Sequence, residues 1–280
     1  MHLVACPSPQ SKGAINIFFV TDSIEVRTKY EVTKYEKDGF VIRIFVNPSY
    51  FGGKFMPKNK LQRFAELKTF SNVHEFLWTE RETDFKLKGK WKAEYFKNEN
   101  PIVLELGCGK GEYSIGLAEK YLHKNFIGID IKGARIWRGS KNAQEKNLHN
   151  VAFLRTQIEF IESCFEKDEV SEIWITFPDP QPNKEKKRLT HMIFLNRYKN
   201  VLKPNGIVHL KTDSAELYEF TLEIIAEHKL TKIYSTYDLY AEANSLTLGE
   251  GWGEATSFKT HYEKLFTAKG KKITYLKFRL

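Results

Sequence analysis

The sequence predicts an α/β protein: a mostly parallel sheet of seven strands with helices on both faces, preceded by an N-terminal extension. Three observations carry this. From Pro101 onward, short β-rich runs alternate regularly with helix-length amphipathic segments, as in a sheet whose strands are joined by crossover helices. A glycine-rich turn, LELGCGKGEYS at residues 104–114, lies between the first of those runs and the first helix. The length of 280 residues, with 41% hydrophobic and 28% charged, suits one large domain plus an appendage.

Residues 1–55 differ from the rest. AINIFFVTD (14–22) and YEVTKYEKDGFVIRIFVNPSYFGG (30–53) alternate like strands around an Asp38-Gly39 hairpin signal and end in Gly52-Gly53, so a small β-element or a poorly ordered extension is expected there. From Met56, MPKNKLQRFAELKTF is basic and then helical, and residues 56–280 are expected to form the main domain. The predicted elements are strand 102–107, helix 112–123, strand 126–131, helix 134–146, strand 151–155, a short helix near 158–165 and strand 172–177. Next come a helix over 189–202, stopped by KPNG through Pro204 and Gly206, strand 207–212, a helix over 214–228, and a terminal pair at 232–240 and 273–280.

Composition narrows the function. No apolar run approaches the roughly 20 residues that span a bilayer, and MHLVACPSPQ lacks the basic and apolar regions of a leader, so a cytoplasmic address and no membrane partner are expected. Cys6, Cys108 and Cys164 have neither C-x-x-C spacing nor paired histidines nearby, which speaks against disulfides and against a metal site. A net charge of +9 favours a polyanionic partner, because lysine and arginine neutralise phosphates and release counterions. Nothing here separates a monomer from a homodimer.

The turn after the first main strand places Gly107, Gly109 and Gly111 where missing side chains let a ligand approach the backbone. A dinucleotide fingerprint needs glycine at position 112, which is glutamate, so a nicotinamide dehydrogenase is disfavoured: a carboxylate at the helix start repels a phosphate. Glu105-x-Gly107-x-Gly109-x-Gly111 instead resembles motif I of class I S-adenosylmethionine-dependent methyltransferases, whose cationic ligand tolerates carboxylates. Asp130 closes the second main strand about twenty residues after the first glycine, the spacing at which an acid meets ribose hydroxyls.

In ITFPDPQPNKEKKR (175–188), Pro178 and Pro180 cannot continue a central strand and hold Asp179 in a stiff turn at its end. Ligands of such sheets sit beyond the carboxyl ends of the strands, so Asp179 is expected to face the transferred group; the alternative is an ordinary Asx turn. Seven positions, Lys58, Lys60, Arg63, Lys184, Lys186, Lys187 and Arg188, are candidates for phosphate contacts. His191 and His209 are read as structural, Trp174, Tyr198 and Tyr218 as core, and Trp252, in a glycine-rich loop, as a candidate lid residue.

Taken together, KNKLQRF, LELGCGKG, GIDI, FPDPQPNKEKKRL, LKTD and TSFKTHYE, in this order from Met56 to Leu280, resemble the tRNA (guanine-N7)-methyltransferase family. The resemblance implies a Rossmann-like class I methyltransferase fold, S-adenosyl-L-methionine as cofactor, tRNA as partner, and methylation of guanine N7 in the variable loop. By the same resemblance, Glu105, Asp130 and Gln157 are cofactor contacts, Asp179 is the active-site aspartate beside the cofactor, and Lys184, Asp213, Thr260 and Glu263 are substrate contacts. Three departures stand out. Gln181 replaces the family's usual tryptophan, the shorter basic turn leaves the substrate lysine to Asn183 or Lys184, and Gln157 replaces an acid. A class I methyltransferase for another substrate and a non-catalytic RNA-binding protein with this fold are the rival readings. Because N7 already carries a free lone pair, catalysis needs alignment more than a base.

Overall fold

In the computed structural model the backbone is described for residues 31–37, 40–46, 58–243 and 253–280, and side chains from Gln62 on. The expected strand at 14–22, Gly52-Gly53, Trp252 and the side chains of Lys58 and Lys60 lie outside the described residues. The chain divides into two units, Met1–Leu61 and Gln62–Leu280. In the first, β1 (Glu31–Lys37) pairs antiparallel with β2 (Phe40–Val46). Their register ends on Lys37 opposite Phe40, and the expected Asp38-Gly39 turn between them lies outside the described residues.

The second unit is an eight-stranded sheet in the order β3-β6-β5-β4-β7-β8-β10-β9, made of β3 (Val73–Glu75), β4 (Ile102–Leu106), β5 (Asn125–Asp130), β6 (Val151–Arg155), β7 (Val170–Thr176), β8 (Leu202–Thr212), β9 (Thr231–Thr236) and β10 (Thr274–Arg279). Pairings from β3 through β8 are parallel, and β10 runs antiparallel to both neighbours. Every residue of β4 and β5 is buried, as expected of central strands covered on both faces.

Period-two alternation sorts β4 side chains between the faces. Leu104 and Leu106 join a core with α5 (Met192–Val201) and α6 (Ala215–Glu227), while Val103 joins one with α2 (Glu112–Lys120) and α3 (Gly133–Glu145). Glu105 shares Val103's face, and so lies under the start of α2. The remaining α-helices among the described residues are α1 (Lys58–Leu67), α4 (Ile161–Cys164), α7 (Leu239–Ala243), α8 (Gly253–Ser257) and α9 (His261–Ala268).

Four expectations are corrected. The sheet has eight strands rather than seven, because three residues, Val73–Glu75, add an edge to β6, too short a run to show alternation. The helix expected from 189 begins at Met192, where His191 Nδ1 accepts the Ile193 N–H at 3.2 Å. KPNG does not separate helix from strand: it sits inside β8, whose register jumps from Val170–Leu202 to Glu172–Ile207 with Asn205 at φ 64°. Pro204 has no N–H to give the ladder, so a bulge accommodates it. The strand expected to reach Tyr240 stops at Thr236, and Asp238 Oδ1 accepts the Ala241 N–H at 3.1 Å as α7 starts.

One close approach ties the fold to the site. A Cβ on Gly139 of α3 would lie 2.4 Å from the Lys110 carbonyl oxygen, so α3 touches the backbone of the glycine turn. Alanine at an ordinary helical glycine is stabilising, but Gly139→Ala is expected to destabilise by about 1–3 kcal/mol, because backbone must move. Chemical denaturation midpoints check this.

Candidate active site

Parallel strand order reverses between β4 and β7: β5 and β6 lie on one side of that junction, β8 on the other. Ligands of doubly wound sheets bind beyond the strand ends at such a point. Here the chain leaves β4 through Gly107, Gly109 and Gly111, at φ 72°, 57° and 65°. Alternate residues in the left-handed region are cheap only for glycine, so the turn exposes backbone where a side chain would otherwise stand.

Two buried carboxylates hold the turn. Asp130, at the end of β5, accepts the Gly109 N–H on Oδ2 at 2.9 Å and the Lys132 N–H on Oδ1 at 2.7 Å. Glu105 Oε2 accepts the Ser114 N–H at 2.9 Å and its hydroxyl at 2.5 Å, and Oε1 accepts the Thr176 hydroxyl of β7 at 2.7 Å. Glu105 therefore bridges both strands of the switch point and the first turn of α2. Burial pushes its carboxyl up to about 7, although the Ser114 and Thr176 bonds favour the anion.

Around the turn lies a cleft of about 100 Å³. It is lined by Glu105, the glycine turn and Glu112, by Thr176 and Phe177 at the end of β7, by the segment Thr260–Tyr262 and by Arg135 of α3. The C-terminal segment is tied to α2 by the His261 N–H, which donates to Glu112 Oε2 at 2.6 Å. Among the described residues, no group of three or more histidines, cysteines or acids could hold a metal.

The expected site residues divide into three groups. Glu105, Gly107, Gly109 and Thr260 line the cleft; Gly111 and Asp130 support the same turn from within, since Gly111 caps α2 and Asp130 binds Gly109. Gln157, Asp179 and Asp213 do not line the cleft but follow the ends of β6, β7 and β8, at the same edge of the sheet. Asp179 is exposed, and its Oδ1 accepts the Gln181 N–H at 3.1 Å, the Asx turn weighed as its alternative. Phe177 and Gln181 bracket it at φ 47° each, a strained conformation for non-glycine residues. Asp213 Oδ2 pairs with Lys271 Nζ at 2.6 Å.

Two expectations need correction. Glu263 has no exposed surface to offer a base: Oε1 is 2.6 Å from Lys211 Nζ and accepts the Tyr240 hydroxyl, while Oε2 accepts the Thr260 N–H at 3.2 Å. Arg188, read as a phosphate contact, is 3% exposed; its Nε donates to the Pro180 carbonyl at 3.1 Å, it pairs with Glu216 and it lies 4.5 Å over the Phe220 ring. Lys184, Lys186 and Lys187 remain exposed. His209 is in the core, stacked on Trp174 at 3.8 Å with Nδ1 2.8 Å from the Tyr275 hydroxyl. Thr176, Phe177, Arg135, His261 and Tyr262 also line the cleft without having been expected as contacts; Thr176 and Phe177 lead into Pro178 and His261 and Tyr262 lie in TSFKTHYE beside Thr260, so only Arg135 carried no signal.

Residues 99–276 match a family model described as "Putative methyltransferase". The tRNA (guanine-N(7)-)-methyltransferase of Christiangramia forsetii is 53% identical over 229 residues, covering 80% of this chain and 98% of that protein.

The chain belongs to the tRNA (guanine-N(7)-)-methyltransferases.

The family member of Bacteroides thetaiotaomicron is 46% identical, covering 80% of this chain and 87% of that protein. Among solved structures, an antibiotic-related methyltransferase superposes with TM-score 0.51 at 18% identity, covering 70% of this chain and 95% of that one, which shows the class I methyltransferase fold.

For a methyltransferase cleft, the raised Glu105 carboxyl has a measurable consequence. Because its folded pKa lies near 7 against an ordinary 4.5, the folded protein binds more protons than the unfolded chain between those values. Stability of the ligand-free protein should therefore fall as pH rises through that window, by up to about 3 kcal/mol, and Glu105→Gln should flatten the dependence. Thermal unfolding from about pH 5 to about pH 8 checks the sign.

Proposed function

We propose that this protein methylates guanine N7 in the variable loop of tRNA, with the cleft at the β4–β7 junction as its S-adenosylmethionine site and the turn around Asp179 as its base site. One observation carries the reading beside the family relation: Glu105, a buried carboxylate that lines the cleft, is held by the Ser114 and Thr176 hydroxyls with no cationic side chain bonded to it. Such a group suits a cationic ligand and disfavours a pyrophosphate. The donor set fits in other respects too. Asp130 keeps acceptor lone pairs beyond its two backbone bonds for a ribose diol, and the glycine turn leaves room for the ligand beside it. Gln157, half-buried after β6, has an amide suited to an adenine edge.

S-adenosylmethionine supplies, when bound, the electrophilic methyl that a guanine N7 lone pair takes without loss of a proton. What the chain contributes is alignment and charge. Asp179 is the group we assign to the base: among the described residues its Oδ2 has no partner, so it can accept from guanine N1–H and the exocyclic amine, a pair of donors that adenine does not present. Asp213 is already neutralised by Lys271. The same Asp179 charge stabilises the cationic product base. Arg188 acts from behind, by holding the Pro180 carbonyl and hence the turn. Lys184, Lys186 and Lys187 face outward beside the turn, where tRNA phosphates can meet them, so affinity should fall with salt. Every residue named lies within residues 56–280, and the enzyme is read as a monomer or homodimer of such chains working in the cytoplasm.

Two measurements test the assignment. Asp179→Ala should lower kcat by about 100-fold or more while leaving S-adenosylhomocysteine affinity nearly unchanged, a split that calorimetry and steady-state kinetics resolve. Loss of N7-methylguanosine from the tRNA of a deletion strain, mapped by borohydride-dependent cleavage, separates this reading from a methyltransferase for another substrate.

A further inference from the structure

Lys211 and Glu263 form an ion pair with no exposed surface on either side chain, deep behind the C-terminal wall of the cleft. Lys211 belongs to β8, and its three ammonium hydrogens have three acceptors on three different helices. Nζ lies 2.6 Å from Glu263 Oε1 of α9, 2.6 Å from the Ala255 carbonyl of α8 and 3.5 Å from the Tyr240 hydroxyl of α7. A buried pair of this kind is poor evidence for stability in itself, because desolvation offsets much of the attraction. What it does supply is a single geometry for the groups it joins.

That geometry leads directly to the cleft. Glu263 is the third residue of α9 and forms a capping box with Thr260: its Oε2 accepts the Thr260 N–H, and the Thr260 hydroxyl accepts the Glu263 N–H, each at 3.2 Å. Thr260, His261 and Tyr262 are the wall itself, latched to α2 at Glu112. Beside them, the Tyr113 hydroxyl of α2 donates to the Glu254 carbonyl of α8 at 3.1 Å.

We propose that Lys211 is a positioning residue for the cofactor site: through Glu263 and Tyr240 it sets where the Thr260–Tyr262 wall stands relative to the glycine turn. The proposal rests on the cofactor assignment above. Lys211 touches neither cofactor nor base, so its effect falls on cofactor affinity and not on the methyl-transfer step at saturation.

Two variants test it, Tyr240→Phe and the charge-balanced Lys211→Met/Glu263→Gln, in which glutamine can still close the capping box. Tyr240→Phe removes one hydroxyl outside the cleft and is expected to fold. Calorimetric titration with S-adenosylhomocysteine should show Kd raised about threefold to tenfold for Tyr240→Phe and more than about tenfold for the double variant, with kcat at saturating cofactor within about twofold of wild type. Kd within about twofold of wild type in Tyr240→Phe, or in a folded double variant, overturns the proposal, even with a lowered Tm, since that is the signature of a purely structural pair. If the double variant does not fold, Tyr240→Phe decides alone. Wild-type protein that fails to bind S-adenosylhomocysteine would instead overturn the cofactor assignment.

Discussion

The site depends on two carboxylates buried where two strands and a helix meet. Asp130 holds the glycine turn through the Gly109 and Lys132 N–H groups, and Glu105 holds the start of α2 and the end of β7 through Ser114 and Thr176. Neither has a cationic side chain among its hydrogen-bond partners; hydroxyls and backbone N–H groups do the holding. That choice leaves the two carboxylates without a cationic hydrogen-bond partner beside the cleft proposed for a cationic cofactor. It also explains why the turn tolerates Glu112 at the helix start, where a phosphate-binding turn would not: there Glu112 takes the His261 N–H and latches the C-terminal wall.

The two halves of the site are built by different means. The cofactor half stands on fully buried strands and on backbone geometry, with positive φ at alternate glycines and α3 pressed against the Lys110 carbonyl. The turn proposed to take the base is stiffened by prolines and held in a strained conformation, with Phe177 and Gln181 at positive φ and Arg188 gripping the Pro180 carbonyl. Pro178 biases Phe177 away from the right-handed helical region, and the Phe177 N–H finds the Lys211 carbonyl at 2.8 Å. Lys211 thus meets both halves, by its backbone at the turn before Asp179 and by its ammonium at the C-terminal wall.

Much of this was legible in the sequence, for physical reasons. Alternation of strand and helix has a strong period, and the main-domain elements fell near their expected places. Gly107, Gly109, Gly111 and Asp130 were readable because a turn at positive φ and an acid at a strand end need particular residue types. Other features had no local signal. Val73–Glu75 is too short for a pattern, and Pro204 looked like a terminator although a bulge absorbs it. Nothing in KEKKR distinguishes the buried Arg188 from the exposed lysines before it. Lys211 and Glu263 lie far apart in the chain, so their pairing appears only once β8 and α9 are folded together.

The most direct test is a crystal structure with S-adenosylhomocysteine bound. The account predicts the ligand between the glycine turn and Thr260–Tyr262, its ribose hydroxyls on Asp130 and its amino-acid end toward Glu105. A ligand bound away from the turn, or an Asp130 carboxylate that keeps only its two backbone partners, would contradict it.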